Sequence, residues 1–129
     1  MLLQQKPVLQ YDERRPSETL ITVDDVVFFM NDICIHDLKP NRTIQSLTGI
    51  ILRSYPLSMK FAKGRWIAFR TIVLVDDSGW ILVNVWGDDA TNLLRGQQLR
   101  LEKTYCFEQN GALCLTLGIH ARLKICAQA

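Results

Sequence analysis

The stretch RWIAFRTIVLVDDSGWILVNVW, residues 65 to 86, constrains the fold more than any other part of the chain. Read with a period of two, its second half puts Ile81, Val83 and Val85 on one side. Trp80, Leu82, Asn84 and Trp86 fall on the other. The first side reads as core. The second alternates apolar with polar and ends in the largest aromatic side chain, so it suits a second packing face, a partner surface or a platform for flat ligands. Between the halves, Asp76-Asp77-Ser78-Gly79 is a turn signature joining two strands.

The remaining sequence supplies more strands. QSLTGIILRS is a first strand with Gly49 in its middle, the mark of a bulge or a sharp coil. SYPLSMKFAKG, residues 54 to 64, reads as a loop with two aromatics and two lysines. After Trp86, GDDATNLL reads as a short helical turn capped by Asp88 or Asp89, with Leu93 and Leu94 inward and Gly96 as its end. QLRLEKTYCF is a fourth strand, Asn110-Gly111 a turn and ALCLTLG a fifth strand. The tail IHARLKIC extends that strand or adds another. Three strands, a short helix and two strands is the order of an all-β, five-stranded Greek-key OB barrel, which places its helix between strands three and four. A small sandwich or SH3-like barrel lacks a helix at that point. One OB-fold domain over residues 21–129 is expected, with its barrel at about 44–125.

Ahead of the barrel, residues 1–20 mix charge and proline without periodicity and read as a flexible arm. Residues 21–37 read as a short N-terminal element. Asp24 or Asp25 can cap a helix with Val26, Phe29, Met30 and Ile33 on one stripe. The same apolar run, Val26, Val27, Phe28, Phe29 and Met30, also suits a strand; helix is the expectation, and the run is a candidate protein interface.

A chain of 129 residues can bury a sufficient core without disulfides or metal. The net charge of +2 says little, but its distribution says more. Leu38 to Val75 contains no Asp or Glu, yet holds Lys39, Arg42, Arg53, Lys60, Lys63, Arg65 and Arg70. That is either chance clustering on a solvated face or a basic field suited to a polyanion. Cys34, Cys106, Cys114 and Cys126 have no metal-ligand spacing among themselves or with His36 and His120, so no zinc or other cofactor is expected. Free thiols in an intracellular protein are the expectation. MLLQQKPVLQ does not have the make-up of a signal peptide, and no apolar run reaches membrane-spanning length.

The order of motifs also resembles a family. Asp37 to Pro40 (DLKP), Gly49, Asp76 to Gly79 (DDSG), Val83 to Trp86 (VNVW), Gly96 to Leu101 and Asn110 to Leu115 stand in the sequence pattern of OB domains from single-stranded DNA-binding proteins. Those are the proteins of the replication protein A and SOSS-B type, with telomere-capping and meiotic RPA-like subunits sharing much of the pattern. The likeness spans residues 33 to about 118. It implies that Trp86, ending the third strand, and Tyr105, in the fourth, stack bases. Where the family commonly has further aromatics, this chain has Gln109 and Thr116; Phe107, Phe61 or Tyr55 would have to substitute. A long C-terminal helix of the kind that bundles RPA subunits is not expected. Assembly contacts therefore fall to the N-terminal segment or the barrel wall.

Stacking aromatics beside cations are what a single-stranded nucleic acid requires. The candidate nucleic-acid contacts are Trp86, Tyr105, Phe107, Phe61, Tyr55, Lys60, Lys63, Arg53, Arg65, Arg70 and Asn84. Each has a plainer alternative: Trp86 packed on the short helix, Tyr105 at the core edge, and residues 54 to 64 a solvated loop. Trp66 and Trp80 read as packing or rim residues. Asp76-Asp77 and Asp88-Asp89 have structural jobs at a turn and a cap, and no nucleophile–base pair is visible, so no enzyme is expected. Two functions remain. One is a nuclear module binding single-stranded DNA, with RNA left open, inside an RPA-like, SOSS-like or telomere-capping complex. The other is a subunit scaffolding such a complex through protein contacts. Neither involves a membrane.

Overall fold

The computed structural model describes residues 20–23, 26–29, 32–118 and 120–128. Most of the expected arm, residues 1–19, and Met30 lie outside the described residues. Among the described residues two short strands come first, β1 (Leu20–Val23) and β2 (Val26–Phe29), paired antiparallel with Val23 opposite Val26. The expected helix over this stretch is therefore corrected to a strand pair. Apart from Leu20, LITV and VVFF are β-branched and aromatic, which favours a pleated strand over a helix too short to hold itself.

The barrel follows: β3 (Arg42–Ser54), β4 (Ser58–Ala62), β5 (Arg65–Asp76), β6 (Gly79–Trp86), β7 (Gln98–Gln109), β8 (Ala112–Thr116) and β9 (Arg122–Ala127). β3 pairs β5, β5 pairs β6, β6 runs parallel to β8, β8 pairs β7, and β7 returns to β3, closing five strands into a ring. Leu47 and Ile51 of β3, Ile72 and Leu74 of β5, Val83 and Val85 of β6, Leu99 and Leu101 of β7 and Leu115 of β8 fill its interior, all buried. Each such side chain contributes about 1.5–3 kcal/mol by leaving water.

Gly49 lets the ring close. A Cβ there would lie 2.8 Å from Leu74 Cγ and 2.9 Å from the Val75 carbonyl oxygen. Around this point β3 changes partner, pairing β7 as far as Ile50 and β5 from Ile50 onward. The register shifts between Ile51 and Arg53, leaving Leu52 as a bulged residue. Only a residue without a side chain allows the two strands to approach so closely at the bend.

A 3₁₀ turn, Ile35–Asp37, lies at the start of β6, and another, Gly87–Ala90, leaves its finish. Ile35 and Leu38 enter the core at the first, Ala90 and Leu93 at the second. The Asp76 carboxylate ties the β5–β6 turn to the first of these. Its Oδ1 accepts from Ser78 N (2.7 Å), Ser78 Oγ (2.6 Å) and Gly79 N (3.1 Å), and its Oδ2 from Ile35 N (2.9 Å). The lead-in segment is held again where Ser46 Oγ donates to Asp32 Oδ1 at 2.6 Å and Arg100 approaches the same carboxylate at 3.7 Å.

One stretch differs from expectation. The loop expected at residues 54 to 64 contains β4, which pairs with the first half of β5. Lys63 (φ 52°) and Gly64 (φ 78°) form the tight turn between them, a geometry whose twist matches that of paired strands. The tail adds a further strand, one of the two outcomes expected of it: β8 pairs Tyr105–Gln109 of β7, and β9 pairs Gln98–Glu102 of the same strand.

At the junction of those two pairings Lys103 has φ 57°. This left-handed residue breaks the alternation of β7. Leu99 and Leu101 point into the core before it, and Thr104 and Cys106 do so after it. Without that reversal, Tyr105 and Phe107 would share the side of Leu99 and Leu101; with it they face outward.

Candidate nucleic-acid interface

The side of β6 opposite the core carries Trp80, Leu82, Asn84 and Trp86, as the alternation requires. Strand pairing extends this side into rows. Phe69 of β5 stands opposite Trp86, Thr71 opposite Asn84, and Val73 opposite Leu82. Beyond β6, Thr116 of β8 lies beside Asn84 and opposite Tyr105 of β7, while Cys114 lies beside Leu82 and opposite Phe107. Thr71, Asn84, Thr116 and Tyr105 thus form one polar row across four strands, ending in a phenol that is 40% exposed.

The end of the face is aromatic and cationic. Phe69 and Trp86 meet edge to face, ring centroids 4.5 Å apart at 62°, and Lys60 Nζ sits 4.3 Å from the Phe69 ring centroid. Trp86 is half-buried and braced by the Phe69 ring, with part of its surface exposed. Lys60, like Ser58 and Arg65, lies on the Phe69 side of the β4–β5 hairpin by its register. The Thr71 hydroxyl donates to Asn84 Oδ1 at 3.1 Å, fixing the amide with its N–H groups available to a ligand. Along the β3 edge, the Arg53 guanidinium lies 5.6 Å from the Tyr55 ring centroid, and Tyr55 N–H donates to the Thr71 carbonyl.

Not every expected residue joins this face. Arg70 is committed to the fold. Its Nε donates to the Ala90 carbonyl at 2.7 Å, its Nη1 to Ser54 Oγ at 2.8 Å and to the Leu93 carbonyl at 3.4 Å, and its Nη2 to the Thr91 carbonyl at 3.3 Å. It caps carbonyls that the short 3₁₀ turn leaves without partners. Phe61 points away from Lys60 to the opposite side of the hairpin, where it meets Trp66. Lys63 occupies the hairpin turn itself. Val26, Val27, Phe28 and Phe29 lie on β2, separate in pairing from the barrel strands. Trp66 and Trp80, 65% and 63% exposed, take the rim alternative of the two expected of them.

Phe69, Thr71 and Thr116 are members of the face that sequence reasoning did not name as contacts. Phe69 was within reach: counting back from the Asp76–Gly79 turn pair places it opposite Trp86. Past Leu82 the face continues into an open groove of about 890 Å³ walled by Leu52, Val73, Trp80 and Leu94, with Arg53 and Arg95 among its lining.

Neither a family profile nor a curated protein matches the sequence. Solved structures do. The second OB-fold domain of replication protein A from Methanococcus maripaludis superposes with a TM-score of 0.64 at 19% identity, over 76% of this chain and 97% of that one. The barrel is an OB fold. An OB domain from Thermoplasma acidophilum gives a TM-score of 0.62 at 19% identity, covering 72% of this chain and 84% of that chain. A replication protein A heterotrimer bound to single-stranded DNA gives 0.59 at 14% identity, covering 75% of this chain and 25% of that one. Among the described residues of this OB fold, no group of three His, Cys, Asp or Glu is placed to hold a metal ion, and no helix is long and apolar enough to cross a membrane.

Proposed function

We propose that this OB-fold domain binds single-stranded DNA without catalysis, through the outer face of β5 and β6. The observation that carries the reading is the registered cluster of Lys60, Phe69, Trp86, Asn84, Thr116 and Tyr105, which combines stacking rings, hydrogen-bonding groups and a cation on one surface. OB folds take oligonucleotides on this face, flanked by the connections that correspond here to residues 55 to 64 and to the β7–β8 turn. The absence of carboxylates from Leu38 to Val75 keeps β3, β4 and β5 attractive to phosphates. Trp86 and Tyr105 are the stacking residues. Lys60 and Arg65 neutralise phosphates, with Arg53 at the β3 edge and Lys63 at the hairpin turn. Phe107 and Tyr55 border the face, and Asn84 donates to bases. A setting in a nuclear genome-maintenance complex, RPA-like, SOSS-like or telomere-capping, is part of the proposal. Its RPA-like part is supported by the likeness to a replication protein A heterotrimer bound to single-stranded DNA.

A second reading, a subunit that scaffolds such a complex through protein contacts, is favoured by the adjoining groove. Leu52, Trp80 and Leu94 line it and are each more than half exposed. A titration of labelled oligo-dT by fluorescence anisotropy, at two salt concentrations and beside duplex DNA and RNA, separates the two. Salt-weakened binding that prefers the single strand supports the first reading. No binding at low salt rejects it and leaves the second.

A further inference from the structure

We propose that Phe61 and Trp66, on the side of the β4–β5 hairpin turned away from the barrel face, form a second base-stacking site that takes nucleotides leaving that face. The inference rests on the DNA-binding reading above and extends it to residues outside the barrel. Strand pairing sets Phe61 directly opposite Trp66, and their rings meet edge to face at 5.4 Å and 71°. Both rings remain largely in water, 62% and 65% exposed, so the pair braces itself without being buried. A largely exposed indole braced by a neighbouring ring is a stacking platform for a base.

Charge decides the kind of ligand. Lys60, Lys63 and Arg65 adjoin the two rings in sequence, and no carboxylate occurs anywhere in β3, β4 or the connection between them. Lysines are depleted at protein–protein interfaces, whereas aromatics interleaved with cations are the make-up of a single-strand path. The geometry also supplies a route. Lys60 faces the barrel side and Phe61, the next residue, the far side; Arg65 and Trp66 alternate in the same way. A phosphate chain leaving the Phe69–Trp86 end beside Lys60 reaches Trp66 by crossing a ribbon of two strands, about 5 Å apart. β4 pairs only with β5 among the described residues, so its outer edge lies along that path.

The test is a length series. Affinities of the full chain, Trp66→Ala and Trp66→Phe are measured by anisotropy for oligo-dT of about 5 and about 16 nucleotides, the span of OB-fold site sizes. The expected result is that Trp66→Ala binds the short oligonucleotide as the parent does. It binds the long one roughly five- to 150-fold more weakly, the loss of one stacked base, and Trp66→Phe recovers most of the difference. If Trp66→Ala follows the parent at both lengths, the hairpin site is refuted and the barrel-face reading stands. If no oligonucleotide binds the parent at either length, both fall together.

Discussion

Lys103 offers a sharp check on the geometry that turns Tyr105 outward. Its φ of 57° is a left-handed conformation in the middle of β7, where a side chain costs about 1–2 kcal/mol. Glycine escapes this cost, but gives up about 0.5–1 kcal/mol through the greater freedom of its unfolded chain. Because the Lys103 side chain is exposed, no packing is lost, and Lys103→Gly is expected to stabilise the fold by about 0.5–1 kcal/mol. With a urea slope of about 2 kcal/mol per molar, the midpoint rises by about 0.3–0.5 M. Lys124 in β9 is an exposed lysine outside the left-handed positions, paired with Arg100. There the same substitution has only the glycine penalty, and Lys124→Gly lowers the midpoint. Lys103→Val, a β-branched side chain forced into the left-handed region, destabilises the fold by about 1 kcal/mol or more. The assay is urea unfolding of the three variants followed by circular dichroism. A loss of stability in Lys103→Gly matching that in Lys124→Gly would refute the strand reversal, and with it the reason Tyr105 and Phe107 share a face with Trp86.

Three further perturbations follow from the same structure. Gly49→Ala pushes a methyl group against Leu74 and the Val75 carbonyl and should cost about 1–3 kcal/mol in chemical denaturation; a neutral result would contradict the close approach of β3 to β5. Arg70→Gln removes charged donors from the carbonyls of Ala90, Thr91 and Leu93 and should destabilise by about 1.5–3 kcal/mol in thermal unfolding. An unchanged melting temperature with lost oligonucleotide affinity would instead assign Arg70 to the ligand. Burial pushes the Cys106 and Cys114 thiols up, Cys106 further by Cys114 and against the pull of Arg42. Held neutral in the fold while the unfolded chain ionises, they favour unfolding as pH rises past the ordinary thiol value near about 8.5. The fall in urea midpoint between neutral and alkaline pH should therefore shrink in a Cys106→Ala, Cys114→Ala variant, and an equal fall in both proteins would contradict the assignment.

The barrel was legible because its strands carry their own signals. The alternation of Ile81, Val83 and Val85, the Asp76–Gly79 and Asn110-Gly111 turns and the glycine at position 49 each report local backbone geometry that a sequence displays directly. Position 103 displayed nothing: a lysine in left-handed conformation is set by the two halves of β7 pairing different strands, which is a tertiary demand. β4 was hidden for a related reason. Its alternation is exposed on both sides, so no buried face marks it, and only the Lys63-Gly64 turn betrays the hairpin. Arg70 read as one more cation of the acid-free block, because the carbonyls that claim it are some twenty residues away in sequence. Conversely the face around Trp86 emerged from a single strand's pattern, and pairing then added Phe69, Thr71 and Thr116 as neighbours.

The claim that the outer face of β6 is a ligand floor is tested most directly by Trp86→Ala in the oligo-dT titration, with its thermal unfolding measured in parallel. Trp86 is half-buried and shares an edge-to-face contact with Phe69, so the variant should lose about 0.5–1.5 kcal/mol of stability for that contact, in addition to the apolar area it buries, and remain folded. Its affinity for oligo-dT should fall by roughly five- to 150-fold, the contribution of one stacked base. A folded Trp86→Ala protein that binds oligo-dT as tightly as the parent would contradict the account.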